Sequence, residues 1–248
     1  MATSSGPAVV RSGLIFNVDS LNLRSYSGSG TTWTDNSGSN NNATLSNTSY
    51  SSSSFLMNQT RQSIKRGTFP VFANDTFGRQ KITRGSFENE TVNQASITSS
   101  INLGGSSPVG TLNAWIKLTN LNSYQQVIGW RNGTNYDFYF AVSGNGNTEA
   151  RVRTATSSYD VVLSYTYFGT WTNICFTSSA STSYLYINGS QVGSNTSISG
   201  NWGASSSFSV GGTYPFNGYV SDIGVYNRAL SAAEAAQNFN ALRGRYSI

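Results

Sequence analysis

The sequence predicts an all-β protein, a sandwich or a barrel, that ends in one short helix. Short β-rich runs recur along the 248 residues and are separated by clusters of Gly, Asn and Ser, without helical segments between them. Aromatic residues make up 13% of the chain and charged residues only 10%, whereas disordered chains combine few aromatics with many charges. A helix-start signal near the C-terminus completes the pattern.

The predicted strands are short and lie between turn-forming residues. In one run, apolar residues recur at every second position, which places Leu112, Ala114, Ile116 and Leu118 on one face. The Asn-Gly pair at 132–133 lies between two β-rich runs and is a strong hairpin signal. In chain order, the predicted strands are residues 14–18, 111–118, 126–130, 136–142, 149–153, 158–163, 170–176, 183–187, 208–210 and 218–226.

The predicted helix begins at Ser231. The sequence Ser231-Ala-Ala-Glu234 is a capping box. In this motif the Ser side chain accepts a hydrogen bond from the third helical amide, and the Glu side chain accepts one from the Ser backbone amide. Alanines carry the helix to about Leu242, and Leu230 and Phe239 can anchor it. Since no linker or internal repeat divides the chain, we predict a single domain of residues 1–248.

The positive charge is concentrated in one segment. The formal net charge is +5, and residues 61–84 alone account for it, because Asp75 is their only acid. Such a segment favours contact with an acidic surface, and we expect it to dock on a partner protein. A solvated loop is the alternative, and nucleic acid is not expected because a stacking platform is missing. The residues of this basic segment are Arg61, Lys65, Arg66, Arg79, Lys81 and Arg84.

Several stretches resemble laminin-G-like domains of the concanavalin A-like lectin/glucanase superfamily, in particular those of tailed-phage virion proteins. They are residues 13–38, the Trp-bearing run 111–118, the Trp-led run 171–193 with its Asn-Gly pair, and residues 216–231 with the helix that follows. The resemblance covers residues 13–45 and about 86–248. It implies an antiparallel jelly-roll β-sandwich with a short C-terminal helix. Residues of about 55–85 depart from the pattern and are interpreted as a basic insertion.

Large aromatic side chains recur within the predicted strands. Trp115, Trp171, Tyr186 and Tyr226 have the spacing of inward-facing sandwich residues. We therefore expect them to belong to the core rather than to a ligand platform.

The sequence predicts no catalytic residues. Glycoside hydrolysis needs two facing carboxylates, and relatives with that activity carry a Glu-x-Asp-x-x-Glu strand that none of the four Glu residues fits. Glu88 and Glu90 share a strand face, but no third acid follows at the right spacing. Histidine is missing from the chain, and the lone Cys175 therefore has no His partner. We predict that the protein is not an enzyme.

The resemblance also implies a structural Ca²⁺ at the sandwich rim, although no cofactor is required. Its candidate ligands are Asp19, Asp35 and Asp222, because many relatives bind Ca²⁺ with Asp side chains and carbonyls. Asp19 ends the first strand and Asp222 lies in the closing strand, so the two can meet at an edge. In the alternative interpretation, Asp35 starts an ordinary turn and Asp222 caps a bulge.

Sugar binding would need exposed aromatic rings beside amide hydrogen-bonding groups. Two stretches have that chemistry, and they supply Trp130, Asn132, Tyr136 and Trp202. The same residues are equally suited to turns or to interface contacts.

Together these features predict a non-enzymatic virion surface protein of a tailed phage, such as a head-decoration, knob or fibre-associated subunit. It would dock on a capsid or tail protein through the basic segment, as a homo-oligomer or as part of a lattice. The N-terminus shows neither a basic nor an apolar signal-peptide region, and no run is long enough to span a membrane. We therefore expect synthesis in the host cytoplasm. The alternative is a carbohydrate-binding module or adhesin that recognises host surface glycans.

Overall fold

The described part of the computed structural model is built from strands, with one α-helix and one 3-10 helix near the C-terminus. All strand pairs are antiparallel, which confirms the predicted all-β class. The structure describes residues 7–51, 54–57, 59–61, 72–74, 80–82, 92–94, 96–99, 103, 109–119, 124–131, 137–142, 147–153, 158–164, 169–198, 208–211 and 216–248.

Within the residues just given, the elements follow one another as twenty short strands and then the helices. They are β1 (Leu14–Asp19), β2 (Thr32–Trp33), β3 (Ala43–Ser46), β4 (Ser49–Ser51), β5 (Ser54–Met57), β6 (Gln59–Arg61), β7 (Phe72–Asn74), β8 (Gln80–Ile82), β9 (Val92–Gln94), β10 (Ser96–Ser99), β11 (Gly110–Leu118), β12 (Gln125–Arg131), β13 (Asp137–Val142), β14 (Asn147–Arg153), β15 (Ser158–Ser164), β16 (Thr172–Ser178), β17 (Ser183–Ile187), β18 (Ser190–Asn195), β19 (Phe208–Val210), β20 (Gly218–Tyr226), α1 (Ala232–Leu242) and a 3-10 helix (Arg243–Arg245).

Two eight-stranded sheets form the sandwich. The first sheet has the order β18-β17-β16-β11-β20-β5-β4, and β1 also pairs with β20. The second sheet has the order β15-β14-β13-β12-β19-β10-β3-β2. In each sheet, strands that are distant in the sequence become neighbours, as a jelly roll requires.

The predicted insertion is shifted relative to the structure. Its first residues, 55–57, belong to β5, which pairs with β20 and buries Phe55 and Met57 in the core. The segment outside the two large sheets starts with β6 and ends with β9. These two strands pair with each other, and β7 pairs with β8. Residues 55–57 of the predicted insertion (about 55–85) thus belong to the first sheet, and the interpretation of the residues that follow as an insertion stays a prediction.

Both sheets contribute to one apolar core. The predicted face of β11 is confirmed, since Leu112, Ala114, Ile116 and Leu118 all lie in this core. From the second sheet, Trp33, Phe138 and Phe208 pack into the same cluster. The shared core joins the two sheets into a sandwich.

A second apolar layer lies on the outer face of the first sheet, beneath α1. Here Cys175, Tyr186 and Tyr226 pack against Leu230 and Ala235. Trp115 packs against Leu242 and Tyr246, with Trp171 and Phe239 at the edge of that cluster.

The expected burial of the four large aromatics holds for three of them, and their expected direction is wrong. Trp115, Tyr186 and Tyr226 are buried, while Trp171 is half-buried. They do not face the other sheet. Side chains alternate along a strand, so a residue next to Ala114 and Ile116 must point to the opposite face. The sequence pattern does not show that α1 covers this face.

The helix begins as predicted. Ser231 accepts a hydrogen bond from the Glu234 amide, and Glu234 accepts one from the Ser231 amide, which forms the capping box. Glu234 also accepts from Arg228 at 2.6 Å. This side-chain hydrogen bond is the main reason why the pKa of Glu234 is lowered to about 2.

A hydrogen-bonded clasp joins the N-terminal segment to α1 and β20. The Val10 amide donates to Asn238 Oδ1 at 2.8 Å, and the Val10 carbonyl accepts from the Tyr226 hydroxyl at 3.1 Å. Asn238 Nδ2 in turn donates to the Tyr226 hydroxyl at 3.0 Å. Since Asn238 is 1% exposed, these bonds replace water for groups that would otherwise be buried unpaired.

Candidate functional site

The outer face of the second sheet carries a row of hydroxyl-bearing residues. The residues next to them in the chain, among them Trp33, Leu45 and Phe208, are buried in the core, so the row points away from it. Cross-strand pairing aligns one residue from each of six strands in what we call the hydroxyl row, in which Gly129 is the one member without a hydroxyl. The row consists of Thr32, Thr44, Thr98, Ser209, Gly129 and Tyr139.

The row differs in exposure from one end to the other. Thr32 and Thr44 are exposed on β2 and β3, and Ser209 on β19 is half-buried. Tyr139 on β13 is 0% exposed, and its hydroxyl accepts from the Tyr124 hydroxyl at 3.0 Å. Ligand contact is therefore available at the β2–β3 end.

Gln126 fixes the middle of the row. Its side-chain Nε2 donates to Ser209 Oγ at 3.2 Å and to the Gly129 carbonyl at 3.4 Å. Since Gln126 is 1% exposed, these bonds hold Ser209 in place from beneath the surface. The hydroxyl row is thus supported by a buried amide rather than by mobile side chains.

Gly129 cannot be replaced without moving the sheet. Its φ of +130° is rarely adopted by other residues, and an added Cβ would lie 2.2 Å from the Phe138 carbonyl oxygen. The pairing between β12 and β13 also shifts between Gln126 and Ile128, which marks a bulge. Gly129 therefore leaves one position of the row without a side chain.

The predicted carbohydrate-binding role of Trp130 is wrong. Trp130 is 2% exposed, stacks on Phe138 at 6.3 Å and meets Phe208 edge-on at 5.0 Å. It follows Gly129 in β12, so its ring points into the core and cannot stack on a pyranose. Asn132, Tyr136 and Trp202 lie outside the described residues, and their role stays a prediction.

Two of the three predicted metal ligands meet as expected. Asp19 and Asp222 are direct register partners in the pairing of β1 with β20. Arg245 of the 3-10 helix reaches the same place, and its Nη1 lies 2.7 Å from Asp19 Oδ2.

Asp35 serves a different purpose from the other two carboxylates. It accepts from the Asn17, Ser37 and Asn41 amides at 2.8, 2.8 and 3.0 Å, and from the Ser37 hydroxyl at 2.8 Å. These bonds close a loop, which agrees with the alternative interpretation of Asp35 as a turn residue.

The three carboxylates do not form the expected Ca²⁺ site. Among the residues that the structure describes, no group of three metal-ligating side chains comes together. Calcium takes six to eight oxygen ligands, whereas the space beside Asp19 holds a guanidinium. The donor set therefore does not fit this ion, and the earlier expectation of a shared site is corrected.

Burial controls the titration of Asp222. Desolvation and, to a lesser extent, the nearby charge of Asp19 raise the pKa of Asp222 to about 7. The positive charge of Arg245 and a hydrogen bond from Asn17 act in the opposite direction. The fold therefore favours the protonated form of this carboxyl more than water does.

The four carboxylates with described side chains all have structural roles. Glu234 caps α1, Asp35 closes its loop, and Asp19 and Asp222 are 7% and 4% exposed beneath Arg245. Burial also raises the pKa of the Cys175 thiol, which disfavours its reactive thiolate form.

The basic segment is described only in part. Arg61 ends β6 and Lys81 lies in the middle of β8. Lys65, Arg66, Arg79 and Arg84 lie outside the described residues, so docking through this segment stays a prediction. No helix in the part of the chain that the structure covers is long and apolar enough to cross a bilayer.

Sequence reasoning missed the hydroxyl row. Thr32, Thr44, Thr98 and Ser209 belong to separate short strands, and nothing in their local sequence links them. Only the register of the second sheet brings them together. Alternation within β3, where Thr44 follows Ala43 and precedes Leu45, was the single local signal for an outward hydroxyl.

Comparison with known proteins identifies relatives of this fold. A family profile described as "Concanavalin A-like lectin/glucanases superfamily" matches residues 89–236. No curated protein sequence matches the chain. Among solved structures, domain 4 of AbnA, a GH43 extracellular arabinanase from Geobacillus stearothermophilus, in complex with arabinotriose, is similar with a TM-score of 0.60 and 19% identity. That similarity covers 94% of this chain and 99% of the AbnA domain.

Binding domains of botulinum neurotoxins are also similar. The binding domain of neurotoxin DC in complex with SialylT gives a TM-score of 0.62 at 13% identity, over 94% of this chain and 52% of that one. A structure described as "Cell entry of botulinum neurotoxin type C is dependent upon interaction with two ganglioside molecules" gives a TM-score of 0.63 at 12% identity. This similarity covers 93% of this chain and 51% of that one. This chain thus spans about half the length of these domains, and identities this low establish the fold alone.

Proposed function

This chain belongs to the concanavalin A-like lectin/glucanases superfamily, and we propose that it is a non-enzymatic domain that binds carbohydrate. The observation that carries the proposal is the hydroxyl row on the outer face of the second sheet. Serine and threonine hydroxyls both donate and accept hydrogen bonds, which suits them to the hydroxyls of a sugar. The saccharide in the AbnA domain structure supports the same reading by analogy.

The spacing of the row favours an extended oligosaccharide. Neighbouring strands lie about 4.8 Å apart, which is close to the length of one pyranose unit. A chain of sugars that crosses β2, β3, β10 and β19 can therefore meet one hydroxyl residue per strand. Binding begins at the exposed Thr32 and Thr44 and continues towards Ser209.

A glycan array with the full chain tests the proposal, followed by calorimetric titration of the best ligand. The double variant Thr32→Ala/Thr44→Ala removes two exposed hydroxyls and should weaken binding about thirtyfold, since each of the two lost hydrogen bonds contributes about 1 kcal/mol. The matched control is Ser190→Ala/Ser194→Ala, which removes two exposed hydroxyls from β18 of the first sheet. It should bind like the wild type.

The outcomes separate the function from its location. An array without specific binding would refute carbohydrate recognition itself. Specific binding that the Thr32/Thr44 variant retains in full would leave the function standing and remove the hydroxyl row as its site.

We also propose that the protein is carried on the surface of a tailed-phage virion, where the basic segment docks on a capsid or tail protein. The specific support is the charge distribution, because residues 61–84 account for the whole net charge of +5. Positive segments of this kind attract acidic surfaces. This role is compatible with carbohydrate binding by the hydroxyl row, because the two use different parts of the chain.

Replacing all six basic residues of the segment by Gln tests the docking. The variant should dissociate from purified particles at a lower salt concentration than the wild type, because screening weakens exposed charge contacts. Neutralising the exposed Arg11, Arg24 and Arg243 removes three positive charges from other parts of the chain and should leave attachment unchanged. Particles that keep the six-residue variant as firmly as the wild type would contradict docking through this segment.

A further inference from the structure

Two carboxylates face each other where β1 pairs with β20. Asp19 and Asp222 are register partners and are 7% and 4% exposed. After burial itself, the negative charge of Asp19 is the next largest cause of the raised pKa of Asp222. A buried pair of this kind needs a positive charge beside it.

The C-terminal 3-10 helix supplies that charge. Arg245 Nη1 donates to Asp19 Oδ2 at 2.7 Å, and its guanidinium also attracts Asp222. The other oxygen of Asp19 accepts from the Leu21 amide at 2.9 Å, and Asp222 Oδ2 accepts from Asn17 Nδ2 at 3.4 Å. Neighbouring protein groups therefore occupy the carboxylate oxygens from several sides.

The position of Arg245 is set by its neighbour in the chain. Tyr246 is 9% exposed and stacks on Trp115 with ring centroids 4.1 Å apart and an interplanar angle of 18°. It also contacts Trp171 at 4.9 Å. Because the Tyr246 ring is packed against these two tryptophans, the backbone next to it is fixed. The packed fold therefore holds Arg245 beside the two carboxylates.

We infer that the Arg245 guanidinium takes the place of a divalent cation between Asp19 and Asp222, so that this edge of the sandwich is stable without a bound metal. A guanidinium brings one positive charge and directed N–H donors, and its planar fork matches a carboxylate. It also ties the C-terminal helix to the first and last strands, which a free ion would not do. The inference goes beyond carbohydrate binding and does not depend on it.

Thermal unfolding of the full chain in EDTA and in millimolar CaCl₂ tests this inference. The wild type should have the same Tm in both solutions. Arg245→Met should lower the Tm in EDTA by roughly 4 °C, because one partly exposed ion pair is lost. CaCl₂ should recover part of that loss, because the cation can then reach both carboxylates.

Three further variants make the result specific. Arg243→Met removes an exposed arginine from the same 3-10 helix and should change neither the Tm nor its response to calcium. Arg245→Lys keeps the charge and should stay insensitive to calcium. The double variant Asp19→Asn/Arg245→Met removes a carboxylate as well, so calcium should no longer restore its Tm.

Three results would overturn the inference. A wild-type Tm that falls in EDTA would show that a metal is needed after all. An Arg245→Met Tm equal to that of Arg243→Met would show that Arg245 carries no such role. A loss in Arg245→Met that calcium leaves unchanged would reduce the contact to an ordinary ion pair.

Discussion

Replacing Asp222 by Asn should stabilise the protein at neutral and alkaline pH and should make little difference in acid. The carboxyl is buried in β20, close to the charges of Asp19 and Arg245. An amide has nearly the same shape but carries no charge, so it can occupy this position at any pH without being ionised there. The difference in unfolding free energy between the two proteins therefore reports the cost of ionising Asp222.

The magnitude follows from the pKa of Asp222, which rises from its ordinary value of 3.8 to about 7. Between these values the unfolded chain has lost the proton and the folded chain still holds it. Stability therefore falls as the pH rises through this window and is level above it. At 1.36 kcal/mol per pKa unit, Asp222→Asn should gain about 4 kcal/mol over the wild type at pH 8, and almost nothing at pH 4.

Urea unfolding followed by tryptophan fluorescence at several pH values between 4 and 8 measures this difference. Glu234→Gln is the matched control, because the pKa of Glu234 is lowered to about 2 and not raised. The ionised Glu234 side chain contributes its full stability above pH 4.5, its value in the unfolded chain, and that stability is lost only as the pH falls towards 2. The difference in unfolding free energy between the wild type and Glu234→Gln should therefore stay level from about pH 5 to 8. A level difference for Asp222→Asn over the same window would refute the reasoning.

Three further predictions concern the architecture around the candidate site, each checked by urea unfolding. Gly129→Ala should cost several kcal/mol or prevent folding, because the added carbon would lie 2.2 Å from a backbone oxygen of β13 at a φ of +130°. Asn238→Leu should cost about 2–3 kcal/mol, because it leaves the Val10 amide buried without a partner, and amide exchange at Val10 should accelerate. Ser231→Ala should cost about 1 kcal/mol through the lost cap. Values below 0.5 kcal/mol for Asn238→Leu would contradict the clasp.

Local sequence patterns predicted the elements of the fold well. The alternation in 111–118 and the capping box at Ser231 are physical requirements of a half-buried strand and a helix start, so they can be read without a structure. The expected meeting of Asp19 and Asp222 was confirmed, because β1 pairs with β20 and these two residues are partners in that pairing. The arginine beside them could not be predicted, since Arg245 is more than 200 residues from Asp19 in the chain and no local pattern connects the two residues.

Register and bulges account for the other differences. Trp130 has the composition of a sugar-binding residue, but the shifted pairing next to it in β12 turns its ring into the core. The hydroxyl row depends on the pairing of strands that are separated by up to about 110 residues, such as Thr98 and Ser209. Strand propensity and alternation describe each strand by itself. They therefore predict neither the alignment of the hydroxyl row across strands nor the packing of α1 over Trp115.

The clasp at Val10 has a consequence for how the domain can be displayed. Residues 8–10 and α1 both lie on the outer face of the first sheet, on the far side of the sandwich from the hydroxyl row. A tether attached at either side of the clasp would orient Thr32 and Thr44 away from its support. Several copies of the domain, each tethered in this way to one support, would present their hydroxyl rows in the same direction. Weak binding of a saccharide by each copy would then be strengthened through avidity.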